Sequence, residues 1–171
     1  MNAVTNNVTT AVNGLYFANP YDISKPGFYF NDMASLEKQL AHAGVEEIEV
    51  DYIDGELGEL FRACGVDQCT IGLWLDQVLE LHEHQQACLF YRCDDLSEDI
   101  ETALANLDGT YISEGSAEDY ARDLVDDCGM LDGMPEHLQC YFDYDAFARD
   151  MQLNGDVTEF TYGGTTYTAT A

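Results

Sequence analysis

The chain has 171 residues and carries 33 Asp and Glu against 6 Lys and Arg, a formal net charge of −27 at pH 7. The charged fraction is an ordinary 23%, so only the sign is unusual, and a one-signed surface costs stability by self-repulsion unless something favours keeping it. Such a surface excludes direct nucleic-acid binding and attraction to anionic membranes, while an apolar fraction of 46% with 8 Phe, 11 Tyr and 1 Trp excludes a merely disordered acidic chain.

The opening residues, 1–13, are polar, uncharged and rich in Asn and Thr. They lack the basic region and apolar block of a signal peptide, and no later run approaches the roughly 20 apolar residues of a membrane span. The expectation is a loose tail on a cytoplasmic protein. Leu15 to Ala18 and Phe28 to Phe30 read as short aromatic strands. Asp32 is placed to cap a helix whose apolar residues Met33, Leu36, Leu40 and Ala43 recur at helical spacing, and Gly44 supplies a left-handed stop. Ile48, Val50 and Tyr52 then alternate with Glu47, Glu49 and Asp51, the pattern of a half-buried strand with an acidic outer face.

The middle reads as helical. Ile71, Trp74, Leu75, Val78, Leu79 and His82 share one helical stripe with Thr70 as cap, and Cys88, Leu89, Tyr91 and Cys93 form a second apolar cluster. Asp95 and Glu98 have capping-box spacing before a helix carrying Leu96, Ile100, Ala103, Leu104 and Leu107, ended near Gly109. The connections are short, as in a small antiparallel bundle. Thr110 to Ser113 reads as a strand, and Ser116 caps a helix that runs to Cys128 and Gly129. Pro135 suits the first turn of a further helix, and another helical pattern runs through Tyr144, Phe147, Ala148 and Met151 to Asn154-Gly155. Val157 to Tyr162 and Thr165 to Thr170, joined by Gly163-Gly164, form a hairpin. The fold class is therefore α+β, with small α/β modules at 14–61 and 109–171 flanking a helical module at 62–108.

No catalytic or cofactor motif stands out, and no cofactor is expected: P-loop, dinucleotide-binding, nucleophile-elbow and HExxH patterns are all missing from the sequence. With 33 acids, pairs of carboxylates occur by chance, so spacing alone defines no acid/base couple. Cys64 and Cys69, like Cys88 and Cys93, enclose four residues, the widest zinc-knuckle spacing, but Cys88 falls within a helical apolar pattern, so reduced thiols are favoured over metal ligands or, with Cys128 and Cys140, disulfides. His82-Glu83-His84 reads as a solvated helix end, and Asp143-Tyr144-Asp145 lacks the rest of a calcium loop. The basic residues are scattered, with Arg122 and Arg149 inside acidic helices, where salt bridges or dimer contacts account for them.

The charge suffices for imitation of DNA. B-DNA carries one negative charge per roughly 1.7 Å, so the net charge corresponds to about 46 Å of duplex. A compact chain of this length is roughly 40 Å across. Basic clefts that hold phosphates would accept such a surface, and binding would weaken with salt. The carboxylates expected to face a partner are Glu46, Glu47, Glu49, Asp51, Asp54, Glu56 and Glu59 in the first module. Asp94, Asp95, Glu98, Asp99 and Glu101 follow, then Glu118, Asp119, Asp123, Asp126 and Asp127.

Residues Leu131 to Asp150, in particular Tyr141-Phe142-Asp143-Tyr144 and Ala146-Phe147-Ala148-Arg149-Asp150 preceded by Pro135, resemble the C-terminal signature of the ArdA antirestriction proteins. Ser116 to Ala121 and Gly129-Met130-Leu131 fit the lead-in to that signature, and Asp51-Tyr52-Ile53-Asp54 has a fainter counterpart. The likeness covers Ser116 to Leu153 and does not extend to the helical middle, nor is the family's glycine-rich, tryptophan-containing opening reproduced at Leu15 to Asp32. The resemblance implies an elongated, curved three-module homodimer that imitates bent DNA and performs no bond chemistry. It implies occupation of the DNA-binding groove of type I restriction-modification enzymes, to the benefit of mobile elements. The motif and dimer residues it implies are Leu131, Pro135, Leu138, Tyr141, Phe142, Asp143, Tyr144, Ala146, Phe147, Arg149 and Asp150. The rival readings are an acidic module for another basic DNA-binding protein and a halophilic enzyme whose acids serve solvation.

Overall fold

The computed structural model describes residues 14–170; the expected tail, 1–13, lies outside the described residues. The architecture is α+β, and its contacts gather into two compact units. One extends to Gln86 and includes Asp99–Glu101; the other comprises Ala87–Glu98 and the chain from Thr102 onward.

The first unit is built on an antiparallel sheet of order β2-β1-β3, with β1 at Leu15–Pro20, β2 at Phe28–Phe30 and β3 at Ile48–Asp54. Tyr16, Ala18, Phe30, Ile48 and Val50 point into the core, because successive strand residues alternate between faces. Between β2 and β3 lies α1, Met33–Ala43, begun by a capping box in which the Asp32 carboxylate accepts from Ser35 N. It ends at Gly44, whose φ of 61° is the left-handed conformation that glycine adopts without penalty. Beneath the sheet, Tyr16, Tyr52, Phe61 and Trp74 form an aromatic cluster with centroid separations of 5.0–6.4 Å. The fully buried Trp74 Nε1 donates to Tyr16 Oη at 2.7 Å, satisfying both polar tips. Burial pushes the Tyr16 phenol up to about 12.

The stripe from Ile71 to His82 is not one helix. It divides into α3, Ile71–Asp76, and a 3-10 turn at Val78–Glu80, following α2 at Gly58–Ala63. Ile71, Trp74 and Val78 are buried across the break, because both helix types return to the same side every three to four residues. Thr70 does not cap α3; its hydroxyl accepts from Asp67 N, and Asp67 Oδ1 accepts from Cys69 N and Thr70 N.

Helix α4, Glu83–Asp94, buries Ala87–Tyr91 and Cys93, and His82 begins it by exchanging bonds with Gln85, consistent with a helix end at His82-Glu83-His84. The capping box expected of Asp95 and Glu98 does not form. Glu98 instead turns back to Arg92, whose Nε and Nη2 donate to its two carboxylate oxygens at 2.8 and 2.7 Å, while Arg92 Nη1 donates to Thr110 Oγ1. Helix α5 spans Ile100–Ala105, and a 3-10 turn follows at Leu107–Gly109.

The second sheet has order β4-β6-β5, all antiparallel, from Tyr111–Glu114, Val157–Tyr162 (β5) and Thr165–Thr170 (β6). The hairpin turns through Gly163 and Gly164, both at positive φ, as a type I′ turn requires. Phe90 and Tyr91 of α4 stack near Phe160, and Phe160 stacks on Tyr167. Helix α6, Ala117–Asp127, packs on α8, Tyr144–Asn154, through Ala117, Ala121, Ala148 and Met151, with Val157 of β5 completing the cluster. Small residues there let the two helix backbones approach closely. Between them, α7 is only Glu136–Gln139, and Pro135 stands at its N-cap rather than within its first turn.

Candidate functional site

The acidic surface follows directly from how these elements are patterned. All of the chain's Asp and Glu residues are exposed, except Glu98, which is half-buried against Arg92. The fold fills its interior with apolar residues, apart from Thr168, whose hydroxyl donates to Gly115 O, and leaves the carboxylates in water, where a charge avoids a large desolvation cost.

In the first unit, Glu49 and Asp51 stand on the outer face of β3, opposite Asn19 and Phe17 of β1. Glu46 and Glu47 lead into the strand, Asp54 ends it, and Glu56 and Glu59 follow in the connection and in α2. In the second unit, Glu118, Asp119, Asp123, Asp126 and Asp127 lie on the solvent side of α6, whose other face buries Ala117, Ala121 and Val125. Asp94 and Asp95 follow from α4, while Asp99 and Glu101 group with the first unit. Glu98 differs from the rest, because both of its oxygens are already held by a cation. Exposure also extends beyond these positions, to Glu37, Asp76, Glu83, Asp108, Asp132 and Asp145.

Local chemistry tunes a few of these charges. The Ser116 hydroxyl and backbone bonded to Asp119 hold its carboxyl below the usual range, as part of the α6 capping box. Desolvation and then the neighbouring Asp94 push Asp95 up. Asp67 resists desolvation because Cys69 and Thr70 donate to it, and its carboxyl lies low. The positive residues largely serve the chain itself. Lys25 Nζ donates to Ala43 O at the end of α1, Arg62 Nε to Gly58 O, and Arg122 Nη2 to Glu118. Arg149 is exposed and makes no ion pair among the described residues.

The signature residues divide into two kinds. Phe142, Asp143, Tyr144, Ala146 and Phe147 build the start of α8: Asp143 Oδ1 accepts from Ala146 N at 2.9 Å, and Phe142 packs edge-on against Tyr144 and Phe147. The Arg122 guanidinium lies 4.3 Å from the Tyr144 ring centroid, tying α6 to α8 by a cation–π contact that no sequence spacing announces. Pro135, Leu138 and Tyr141 are exposed, Tyr141 at 80%, as are Arg149 and Asp150, while Leu131 is half-buried. No residue between Gly129 and Phe147 is buried, although Met130, Met134 and Leu138 lie in that stretch.

None of the six cysteines is in a disulfide; Cys64, Cys88 and Cys93 are buried, and Cys69, Cys128 and Cys140 are exposed. Among the described residues no group of three or more His, Cys, Asp or Glu is arranged to hold a metal ion, and no helix is long and apolar enough to cross a membrane.

Fold and surface together define an α+β protein whose carboxylates almost all face solvent. The family model for the antirestriction protein ArdA matches residues 72–166, more than half of the chain, and the chain belongs to that family. Antirestriction is the function that membership implies. The match takes in α4, α5 and all but the first residue of α3, a stretch to which the resemblance of Ser116 to Leu153 does not extend. No curated protein matches the chain.

Proposed function

We propose that the protein inhibits type I restriction-modification enzymes by imitating DNA, occupying the groove that would hold duplex and catalysing no reaction. The observation that carries the proposal is the near-complete exposure of the carboxylates on a folded core. Exposed carboxylates present charge to a basic groove as phosphates do, and displaced counterions add to the driving force. On this reading residues 14–61, 62–108 and 109–171 contribute successive stretches of mimic surface. The family assignment favours this reading over an acidic module for some other basic DNA-binding protein and over a halophilic enzyme.

The proposal includes a homodimer. The exposed apolar side chains between Gly129 and Phe142 support it, because contiguous exposed apolar groups mark interaction surfaces. Light scattering checks this directly: a dimer is expected for the native chain, and a monomer for Leu138→Asp with Tyr141→Asp. The main reading is tested by competition. At low salt the protein displaces labelled duplex from a type I methyltransferase core at micromolar concentration; failure to displace it removes the proposal.

A further inference from the structure

The outer edge of β3 has no strand beside it among the described residues, since its sheet has the order β2-β1-β3. Hydrogen bonds fix which groups face that edge. Tyr21 N donates to Glu47 O, whereas Ile48 N turns away from β1 and donates to the Gln68 side chain at 2.7 Å. In an antiparallel pair this alternation repeats every second residue, so the N–H and C=O groups of Val50 and Tyr52 also face outward.

Gln68 shows how the edge can be used. Its Oε1 accepts from Ile48 N, and its Nε2 donates to Glu46 O at 2.6 Å, so one side-chain amide occupies the place of a peptide group in a neighbouring strand. Beyond it, a groove of about 490 Å³ runs beside Val50–Asp54 and is bounded by Phe61, Arg62 and Val66. That size lies within the range of ligand clefts. Phe61 and Val66 make the core side of this groove apolar.

We propose that this groove takes an extended segment of a partner protein that alternates basic and apolar residues, added as a fourth strand beside β3. The two faces of β3 specify that pattern. Residues of the incoming strand on the outer face meet Glu49 and Asp51, where opposite charges across a strand pair are favourable. Residues on the inner face meet Val50 and Tyr52 above Phe61 and Val66, where apolar side chains extend the core. The acids also exclude a second copy of this chain, because two such edges would set Glu49 and Asp51 against like charges. Arg62 lies on the far wall with its Nε committed to Gly58 O, so the strand side of the groove is its negative side. This mode of binding stands independently of DNA mimicry.

The test uses the full chain and a blocked peptide, Lys-Val-Arg-Val-Lys-Val, with two derivatives N-methylated on alternate residues. N-methylation removes backbone donors without changing charge. At 150 mM salt the parent peptide is expected to slow exchange of the Val50 and Tyr52 amides at least tenfold. One methylated derivative, the one whose blocked amides face β3, should bind at least tenfold more weakly, and the other should bind like the parent. Equal binding by all three peptides, or unchanged exchange at Val50 and Tyr52, would overturn the proposal and reduce the contact to charge attraction alone. A restriction-enzyme competition result does not enter either outcome.

Discussion

Strand β3 and helix α6 both place acids on one face and apolar residues on the other, but they hold that charge on different terms. On β3, Glu49 and Asp51 project from the same face beside Asn19 and Phe17, neither of which offers a counter-charge. On α6, Glu118 and Asp119 lie in the first turn, where the helix N-terminus favours negative charge, and Ser116 and Arg122 add direct bonds. Asp126 and Asp127 reverse that logic in its last turn, which contains no basic residue. Local structure therefore accounts for the acids at the start of α6, while those on β3 and at the end of α6 oppose it. Charges retained against local stability are the ones to assign to a partner.

The supports beneath the two elements also differ, and truncating one of them should destabilise the protein most. Under β3 lies an aromatic cluster; under α6 the buried contacts are the aliphatic and thioether side chains of Ala117, Ala121, Ala148, Met151 and Val157. Trp74→Ala removes the ring that packs edge-on against Phe61 and Tyr52 and leaves Tyr16 without its donor. A loss of about 3–5 kcal/mol is expected from urea unfolding. A loss below about 1 kcal/mol would show that the cluster does not support the sheet.

Next in size is the α6 cap. Ser116→Ala is expected to cost about 1 kcal/mol, read from the same unfolding curves, because Asp119 N loses its acceptor. At the other end of α6 the sign inverts. Asp126→Asn and Asp127→Asn should each stabilise the protein by about 0.3–1 kcal/mol at low salt while weakening inhibition. If they stabilise without weakening inhibition, these two acids do not face the partner.

The smallest expected effect is at Asp95. Its carboxyl is raised in the folded protein, so the fold disfavours its charged form. Its contribution to stability increases as pH falls through its folded value and levels off below the unfolded value of about 3.9. Asp119 behaves oppositely: its carboxyl is lowered, and its contribution is lost as pH falls through its folded value. Asp95→Asn should therefore raise Tm slightly at pH 7, by an amount that shrinks at pH 4. An unchanged difference between the two pH values would contradict this assignment.

Much of the fold was legible where a local signal has one physical meaning. Asp32 and Gly44 bracket α1, Ser116 begins α6, and Gly163-Gly164 turns the last hairpin, because caps and positive-φ turns depend on neighbouring residues alone. The division of Ile71 to His82 was not legible, since α-helical and 3-10 turns bury the same positions. Nor was the role of Glu98: capping-box spacing cannot reveal that Arg92, six residues earlier, binds both its oxygens. In the acidic surface, exposure could be anticipated because carboxylates rarely leave water. The link from Arg122 to Tyr144 and the amide bridge from Gln68 to β3 could not, because tertiary packing alone brings those residues together.

On the proposed mechanism carboxylates spread over the surface, and no single group among them, do the work of phosphates. This is tested most directly by measuring the concentration needed to displace duplex from a type I methyltransferase core as acids are neutralised in clusters. Glu46→Gln, Glu47→Gln, Glu49→Gln and Asp51→Asn would come first, and Asp123→Asn, Asp126→Asn and Asp127→Asn would be added next. Distributed mimicry requires stepwise weakening with each cluster, in proteins that remain folded. Abolition of displacement by one of these substitutions alone, or full displacement after both clusters are neutral, would contradict it.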